Sequence, residues 1–498
     1  MEWLNNVIED TARLIDEIPK SERKSYGQFF TSESVARYMA NLLNIPDTES
    51  LSVLDPGAGT GILSIALLER VEATDFQGSV TLVCYETDEA VIPTLEKNLE
   101  TVKNECGFIF EYKILRENYI FAQAPEFENT LFCDERDEPY KFDLIIENPP
   151  YKKVPKASPE AQMVPSICKG APNLYFIFAA LSLFNLKTNG EMVIILPRSW
   201  TSGLYFKAFR EYLFSNGSIE HMHLFVSRNK VFDKEAVLQE TMILKIKKSI
   251  QNDSVVITTT EGSNEFDSIT SFTAPSDVII SGPDRYVFLV TDQNDLDILE
   301  KLDRWKNTLP QLGLKMKTGL TVDFRTRSAL RDEPDGDTVP LFYSQHLRNG
   351  KVQFPIGKEG EWIKTDKKGL HQPNENYLFV KRFTAKEEKR RFQCAVYLAD
   401  DFPDCKTIST QNKINFISGD KPLDIDTVYG LYGIFTSTLY DKYYRILNGS
   451  TQVNSTEVNS MPVPPIEIIK KIGKELLHEN NMSEATCNKV LERFICQN

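Results

Sequence analysis

Three short stretches hold residue types at spacings that chemistry could use. Asn148-Pro149-Pro150-Tyr151 follows the apolar run Phe142 to Ile146. Its prolines stiffen the turn and stop the run from continuing as sheet. An exocyclic amine on an aromatic base is a poor nucleophile because its lone pair is delocalised into the ring. Two acceptors would bind its two hydrogens and favour a pyramidal nitrogen. The Asn148 side-chain oxygen and the Pro149 carbonyl can supply both, and Tyr151 can stack on the ring. The plain alternative is a proline-stabilised turn. Asp55-Pro56-Gly57-Ala58-Gly59-Thr60-Gly61 lies between the apolar runs Leu51 to Leu54 and Ile62 to Leu68. Its glycines allow a sharp turn and a close backbone approach to a ligand. Asp55 can receive a ligand ammonium there. Glu86, about 25 residues beyond the last of these glycines, follows Val80 to Tyr85 and can accept both hydroxyls of a ribose. A ligand with an amino-acid end and a nucleoside end fits the pair, and S-adenosylmethionine is such a ligand. A tight turn with a capping acid is the alternative.

These residues need a frame that brings them together. The runs 51–54, 80–85, 142–146 and 192–196 read as strands. They alternate with helices over 62–68, 90–99 and 173–186, which implies βαβ units and a parallel sheet covered on both faces. The run 242–246 reads as the last strand of this unit. Open sheets of this kind bind ligands at their carboxyl edge, where all three stretches fall. Residues 1–20 read as an amphipathic helix, and Val35, Tyr38, Met39, Leu42 and Leu43 share one helical face. Residues 251–275, rich in Ser, Thr, Asn and Asp, read as a connection. Beyond about 300 the alternation gives way to short strands and turns with basic-aromatic segments such as Lys381-Arg382-Phe383.

The chain's 498 residues suggest two or three domains. Its net charge of -14 argues against a polyanionic partner until its distribution is considered. Residues 1–300 carry 27 Lys and Arg against 46 Asp and Glu, whereas 301–450 carry 25 against 19. A basic later region is compatible with local DNA contact. Eight cysteines without a Cys-x-x-Cys pair suggest reduced thiols in a cytoplasmic protein and no zinc site. The apolar stretch 174–186 is too short to span a bilayer, and the N-terminus shows no secretory signal. His221 and His223 alternate as in a strand and read as structural rather than metal ligands. Lys152 and Lys153 could meet a phosphate or stay solvated. The run Lys386 to Arg391 reads as a solvated helix face, with a phosphate contact as the alternative.

In order along the chain, these motifs resemble those of the gamma-class, amino-group DNA methyltransferases of type II restriction-modification systems, which act on adenine N6. In length the chain is similar to the PstI- and BsuBI-like modification enzymes. Tyr26 to Thr31 resembles the family's N-terminal motif, so the resemblance places Gln28, Phe29 and Thr31 at the methionine end of the cofactor. It makes Asp55, Gly57, Gly59, Gly61 and Glu86 cofactor-binding residues. Asn118 stands where the family often has Asp and would contact the cofactor adenine. Asn148, Pro149, Pro150 and Tyr151 would form the catalytic loop, and Phe232 would pack with Tyr151 against an extruded base. Residues 448–454 and the following Met461-Pro-Val-Pro resemble the end of a target-recognition region.

The implied fold class is α/β: a Rossmann-like, S-adenosylmethionine-dependent catalytic domain over 1–245, a connecting segment over 246–299, a mixed α+β DNA target-recognition domain over 300–465, and a helical tail over 466–498. The implied activity is site-specific adenine methylation of double-stranded DNA, with a separate cognate restriction endonuclease as partner, no metal and no membrane. The alternatives are a non-catalytic DNA-binding subunit and a methyltransferase acting on protein glutamine or RNA amino groups.

Overall fold

The computed structural model describes residues 2–17, 31–130, 141–170, 172–226, 241–250, 252–262, 266–384, 388–448 and 451–495. Tyr26, Gly27, Gln28, Phe29, Phe30 and Phe232 lie outside them. The chain divides into two compact units, 1–291 and 292–498.

The first unit opens with α1 (Trp3–Glu17), which buries Trp3, Leu4, Val7 and Thr11 at helical spacing. Then follow α2 (Glu33–Leu42), β1 (Ser50–Asp55), α3 (Ile62–Glu72), β2 (Ser79–Tyr85), α4 (Ile92–Glu105), β3 (Ile109–Leu115), α5 (Tyr119–Thr130), β4 (Phe142–Glu147), α6 (Leu174–Asn185) and β5 (Leu186–Pro197). All residues of α6 but the first are buried, as expected of a helix apolar on every side. The strands of this part run in parallel in the order 3-2-1-4-5. The strand order reverses beside β1, so the crevice at the carboxyl ends of β1 and β4 is the place where such sheets take ligands.

The sheet does not end there. After α7 (Lys207–Asn216) come β6 (Ser218–Phe225), β7 (Thr241–Lys247), β8 (Ser254–Thr260) and β9 (Thr270–Pro275), which extend it to nine strands in the order 3-2-1-4-5-7-6-8-9. Strand β7 is not the last. It inserts between β5 and β6, antiparallel to both. Nor is 246–299 only a connection, because β8 pairs with β6 and β9 with β8. The threonines that gave this segment its polar look are β-branched and suit a strand.

In the second unit, β10 (Leu314–Thr318), β12 (Tyr377–Lys381), β13 (Cys394–Tyr397) and β15 (Ile414–Gly419) belong to one sheet, in the order 10-15-12-13 before two short strands. A second sheet holds β11 (Val339–Phe342) parallel to β14 (Thr407–Thr410). The turn 411–413 links β14 to β15 and so joins the sheets. Phe342, Phe379, Tyr397 and Phe416 fill the core between them. The helices α8 (Ile425–Thr436), α9 (Thr438–Leu447), α10 (Ile466–Glu479) and α11 (Glu484–Ile495) come after them. The region read as a helical tail packs on α8. A Cβ on Gly430 would fall 1.9 Å from the Ile469 carbonyl oxygen, and one on Gly473 would fall 1.8 Å from that of Asp426. Only glycine permits this approach. Among the described residues of the 386–391 run, 388–391 are not helical. Arg391 is buried, bonding Thr384 at 3.2 Å and Asn448 at 3.3 Å.

Candidate active site

The carboxyl ends of β1, β2 and β4 surround a cavity of about 520 Å³. Its walls come from the glycine loop (56–60), from Tyr85 to Glu89, from Glu117 to Ile120, and from Thr31, Asn148, Pro150, Lys152, Leu174 and Phe178. The loop is held from three sides. Gly61 adopts φ +90° at the start of α3, and a Cβ there would meet Leu95 at 2.9 Å. Thr11 of α1 shares a 2.6 Å hydrogen bond with the Thr60 hydroxyl, and Asn98 of α4 donates to the Thr60 carbonyl at 3.0 Å. Glu86 accepts the Gly59 amide at 2.9 Å and the amides of Thr87 and Asp88 at 2.7 and 2.8 Å. Burial raises the Glu86 pKa against these bonds.

Asp55 stands behind this wall. It is fully buried, does not line the cavity, and accepts the Ser64 hydroxyl at 2.7 Å. Burial pushes its pKa up to about 7; the Ser64 and Gly57 bonds oppose the rise and the Glu86 charge adds to it.

Asn148 lies on the opposite wall, and its Nδ2 donates to Thr31 Oγ1 at 3.1 Å. Two residues 117 positions apart thus meet at the cavity. The bond orients the amide, so Oδ1 is the atom that would accept from an amine. Pro150 lines the cavity, whereas Pro149, Tyr151 and Gly61 do not. The Tyr151 hydroxyl donates to the Ile195 carbonyl at 3.1 Å, and its ring meets Tyr175 edge-on at 6.4 Å. Asn118 lines the cavity and also caps α5, accepting the Ile120 amide at 2.9 Å. Lys152 lines the cavity while Lys153 does not.

Beneath the cavity runs a buried polar chain. The Tyr85 hydroxyl accepts from Gln123 Nε2 at 2.8 Å, and Gln123 Oε1 accepts from Asn185 Nδ2 at 2.9 Å. Asn185 also reaches the Tyr119 hydroxyl at 3.3 Å; Tyr119 meets Ser182 at 3.4 Å, and Ser182 donates to Glu147 Oε2 at 3.1 Å. The chain joins the wall that carries Glu86 to the residue before Asn148. Burial raises the Glu147 pKa to about 8, opposed by the Ser182 bond and assisted by the Asp55 charge. The one sequence signal for this chain was Ser182 and Asn185 inside an otherwise apolar run.

His221 and His223 bond to Thr258 at 2.8 and 2.9 Å, and burial lowers their pKa values to about 4 and 3. Among the described residues, no group of three or more His, Cys, Asp or Glu is placed to hold a metal, and no helix is long and apolar enough to cross a membrane.

A reversing parallel sheet, a glycine loop after β1, an acid after β2 and Asn-Pro-Pro-Tyr after β4 define an α/β methyltransferase-like unit, here followed by a second, mixed unit. The relatives narrow the class. Residues 69–232 match the family described as Eco57I restriction-modification methylase. Over 496 residues the chain is 33% identical to the type II methyltransferase M.BsuBI of Bacillus subtilis, covering 98% of this chain and 97% of that one. Over 465 residues it is 33% identical to M.PstI of Providencia stuartii, covering 91% and 90%. The chain belongs to the type II DNA methyltransferases of restriction-modification systems. Its fold also resembles that of the Type ISP restriction-modification enzyme LlaBIII, solved bound to DNA, at TM-score 0.50 and 12% identity over 95% of this chain and 40% of that one.

Proposed function

We propose that the chain methylates adenine N6 within a short double-stranded DNA sequence, with S-adenosylmethionine as cofactor, and so protects that sequence from a cognate restriction endonuclease. The observation that carries this reading is the position of Asn148: at the carboxyl end of β4, on the cavity wall, with its amide oriented by Thr31. The site's residues fit the cofactor. Glu86 is fixed by three amides beside the cavity. Asp55 is a buried carboxyl with no cation at ion-pair distance among the described residues, and it can attract an ammonium through the thin glycine wall. When bound, the cofactor supplies an electrophilic methyl group on a sulfonium.

The chain's own residues do the rest. A base amine is reachable only once the base leaves the duplex. Asn148 Oδ1 and the Pro149 carbonyl then accept its two hydrogens and draw the lone pair out of the ring. The acceptors are fixed beforehand, so these bonds strengthen as the nitrogen becomes pyramidal, at no cost of rearrangement. Tyr151 and Phe232 hold the ring. Unit 292–498 supplies the DNA recognition.

Long-read sequencing of genomic DNA from a host expressing the chain tests this reading. One short motif should carry N6-methyladenine throughout, and Asn148→Ala should abolish the mark. A genome without new modified adenine would refute it.

A further inference from the structure

The second unit exposes two aromatic rings on its described surface, Phe324 at 63% and Phe383 at 41%. They are 59 positions apart in sequence, yet the backbone brings their segments to one edge. Thr321 bridges to Gln411, at the turn that joins the two sheets. The Arg382 amide bonds the Lys413 carbonyl at 2.9 Å on the other side of that turn. Phe383 bridges in turn to Gln452. Neighbouring backbones in such ladders lie about 4.8 Å apart, so the two steps from the Thr321 segment to the Arg382-Phe383 segment span about 10 Å, within the ~12 Å width of the B-DNA major groove.

Each exposed ring has a guanidinium over it at 5.4 Å, Arg325 on Phe324 and Arg382 on Phe383. Arg325, Arg327 and Lys413 are exposed and form no ion pair among the described residues. Asp323, an acid beside Phe324, accepts from Gln411 at 3.2 Å and from the Phe324 amide at 2.9 Å. The base of the edge is tied by buried hydrogen bonds. Asn448 and the Tyr444 hydroxyl both bond the buried Glu457, and Tyr444 also bonds the Gln452 carbonyl at 3.1 Å.

We infer that this edge is the surface on which the chain reads its DNA: Phe324 and Phe383 press on base faces or steps, and Arg325, Arg327 and Lys413 hold the flanking phosphates. Resting on the function proposed above, the inference adds which surface and which residues recognise the duplex. Aromatic rings on an otherwise polar, cationic edge suit a partner that offers both π-faces and negative charge. Apolar wedges beside cations are also how proteins open base steps. A protein partner would need an apolar patch, and here the two rings are separated by charge.

The test uses the full-length protein, methyl-tritiated S-adenosylmethionine and genomic DNA from a host lacking the enzyme. Three forms are compared: wild type, the double variant Phe324→Ala/Phe383→Ala, and the triple variant Arg325→Ala/Arg327→Ala/Lys413→Ala. All altered side chains are exposed, so the fold and the cofactor affinity measured by calorimetry should be unchanged. The double variant should need roughly tenfold more DNA, or more, for half-maximal labelling, as expected if each ring stacks on a base. The triple variant should flatten the slope of log affinity against log salt by about 2 to 3, one counterion per lost phosphate contact. If wild type labels DNA and both variants match its DNA dependence and salt slope, this surface is not the reading edge, while the proposed reaction stands. If wild type labels no DNA, the proposed reaction itself fails and this inference falls with it.

Discussion

The candidate cavity of the first unit and the exposed edge of the second meet charge in different ways. The first unit buries carboxyls at the carboxyl edge of its sheet: Asp55 and Glu147 are fully buried, held by serine hydroxyls and without a cation beside them among the described residues. The second holds two of its buried acids in other ways. His346 meets Glu361 at 3.0 Å, and Asp441 receives the Arg391 and Phe392 amides and the Arg445 guanidinium. Among its exposed cations, Arg325, Arg327 and Lys413 form no ion pair among the described residues and stand at the edge with Phe324 and Phe383. The contrast separates two ways of meeting a ligand. A buried acid with no counter-charge acts at short range in low dielectric, on a cationic group brought close to it. Exposed cations act at longer range on a polyanion and are weakened by salt.

The largest effect is expected at Asn148. If Asn148 is one of two acceptors for the amine, as proposed, Asn148→Ala should lower turnover by about 100-fold or more, as for a lost oxyanion donor. Cofactor affinity, measured by calorimetry, should stay near wild type. Equal losses in both quantities would make Asn148 a structural residue.

Next in size is stability against pH. Glu147 has a folded pKa of about 8 against an ordinary value of 4.5. It is neutral in both states below about pH 4.5, so it costs nothing there. Between 4.5 and 8 the unfolded chain ionises while the folded chain holds its proton, and stability falls as pH rises through this window. The loss is on the order of a few kcal/mol. Glu147→Gln should remove this fall, so its unfolding midpoint should pull ahead of wild type from pH 5 to 8.5. In the second unit the sign is reversed. Glu361, Asp424 and Glu484 have lowered pKa values, despite some burial, through bonds to His346, Lys470 and Thr438 respectively. Their contribution is present at neutral pH and is lost on acidification. Calorimetric scans resolving two transitions would sharpen the contrast, with the second-unit transition weakening towards acid.

Asp55 yields a smaller effect with a definite sign. Its pKa of about 7 means that it is charged only above that pH. Cofactor affinity should rise through pH 6 to 8 in wild type and lose this dependence in Asp55→Asn. An unchanged profile in the variant would remove the ammonium role.

The smallest effect concerns the exposed rings. Phe324→Ala and Phe383→Ala should each shift unfolding free energy by less than about 0.5 kcal/mol, whereas the fully buried Phe342→Ala should cost about 3–5 kcal/mol. Chemical denaturation distinguishes them. A large loss at either exposed ring would assign it to structure.

The parts legible in the sequence were those punctuated by glycine and proline. Asp55 to Gly61 and Asn148 to Tyr151 declared their turns, and the apolar runs before them declared β1 and β4. Strand β3 was missed because its residues alternate with exposed ones at the sheet edge, with no long apolar run. Strand β9 was missed because its threonines read as linker. The antiparallel insertion of β7 depends on a crossover that no local pattern encodes. At the site, Thr31 and Asn148 were both anticipated, but their hydrogen bond was not. Thr11, Ser64, Asn98 and Glu147 left no signal, because a polar residue within a regular element does not announce its partner. The reading edge was hidden for the same reason: Arg382-Phe383 drew notice as a basic-aromatic segment, but its convergence with Phe324 arises from long-range pairing.

The most direct measurement is the chemical identity of the methylated product. Purified protein is incubated with methyl-tritiated S-adenosylmethionine and unmodified genomic DNA, and the DNA is digested to nucleosides and separated. The label should co-elute with N6-methyladenosine in its deoxy form, and Asn148→Ala should incorporate about 100-fold less or lower still. Label in N4-methylcytosine, or retained in protein rather than DNA, would contradict the proposed reaction.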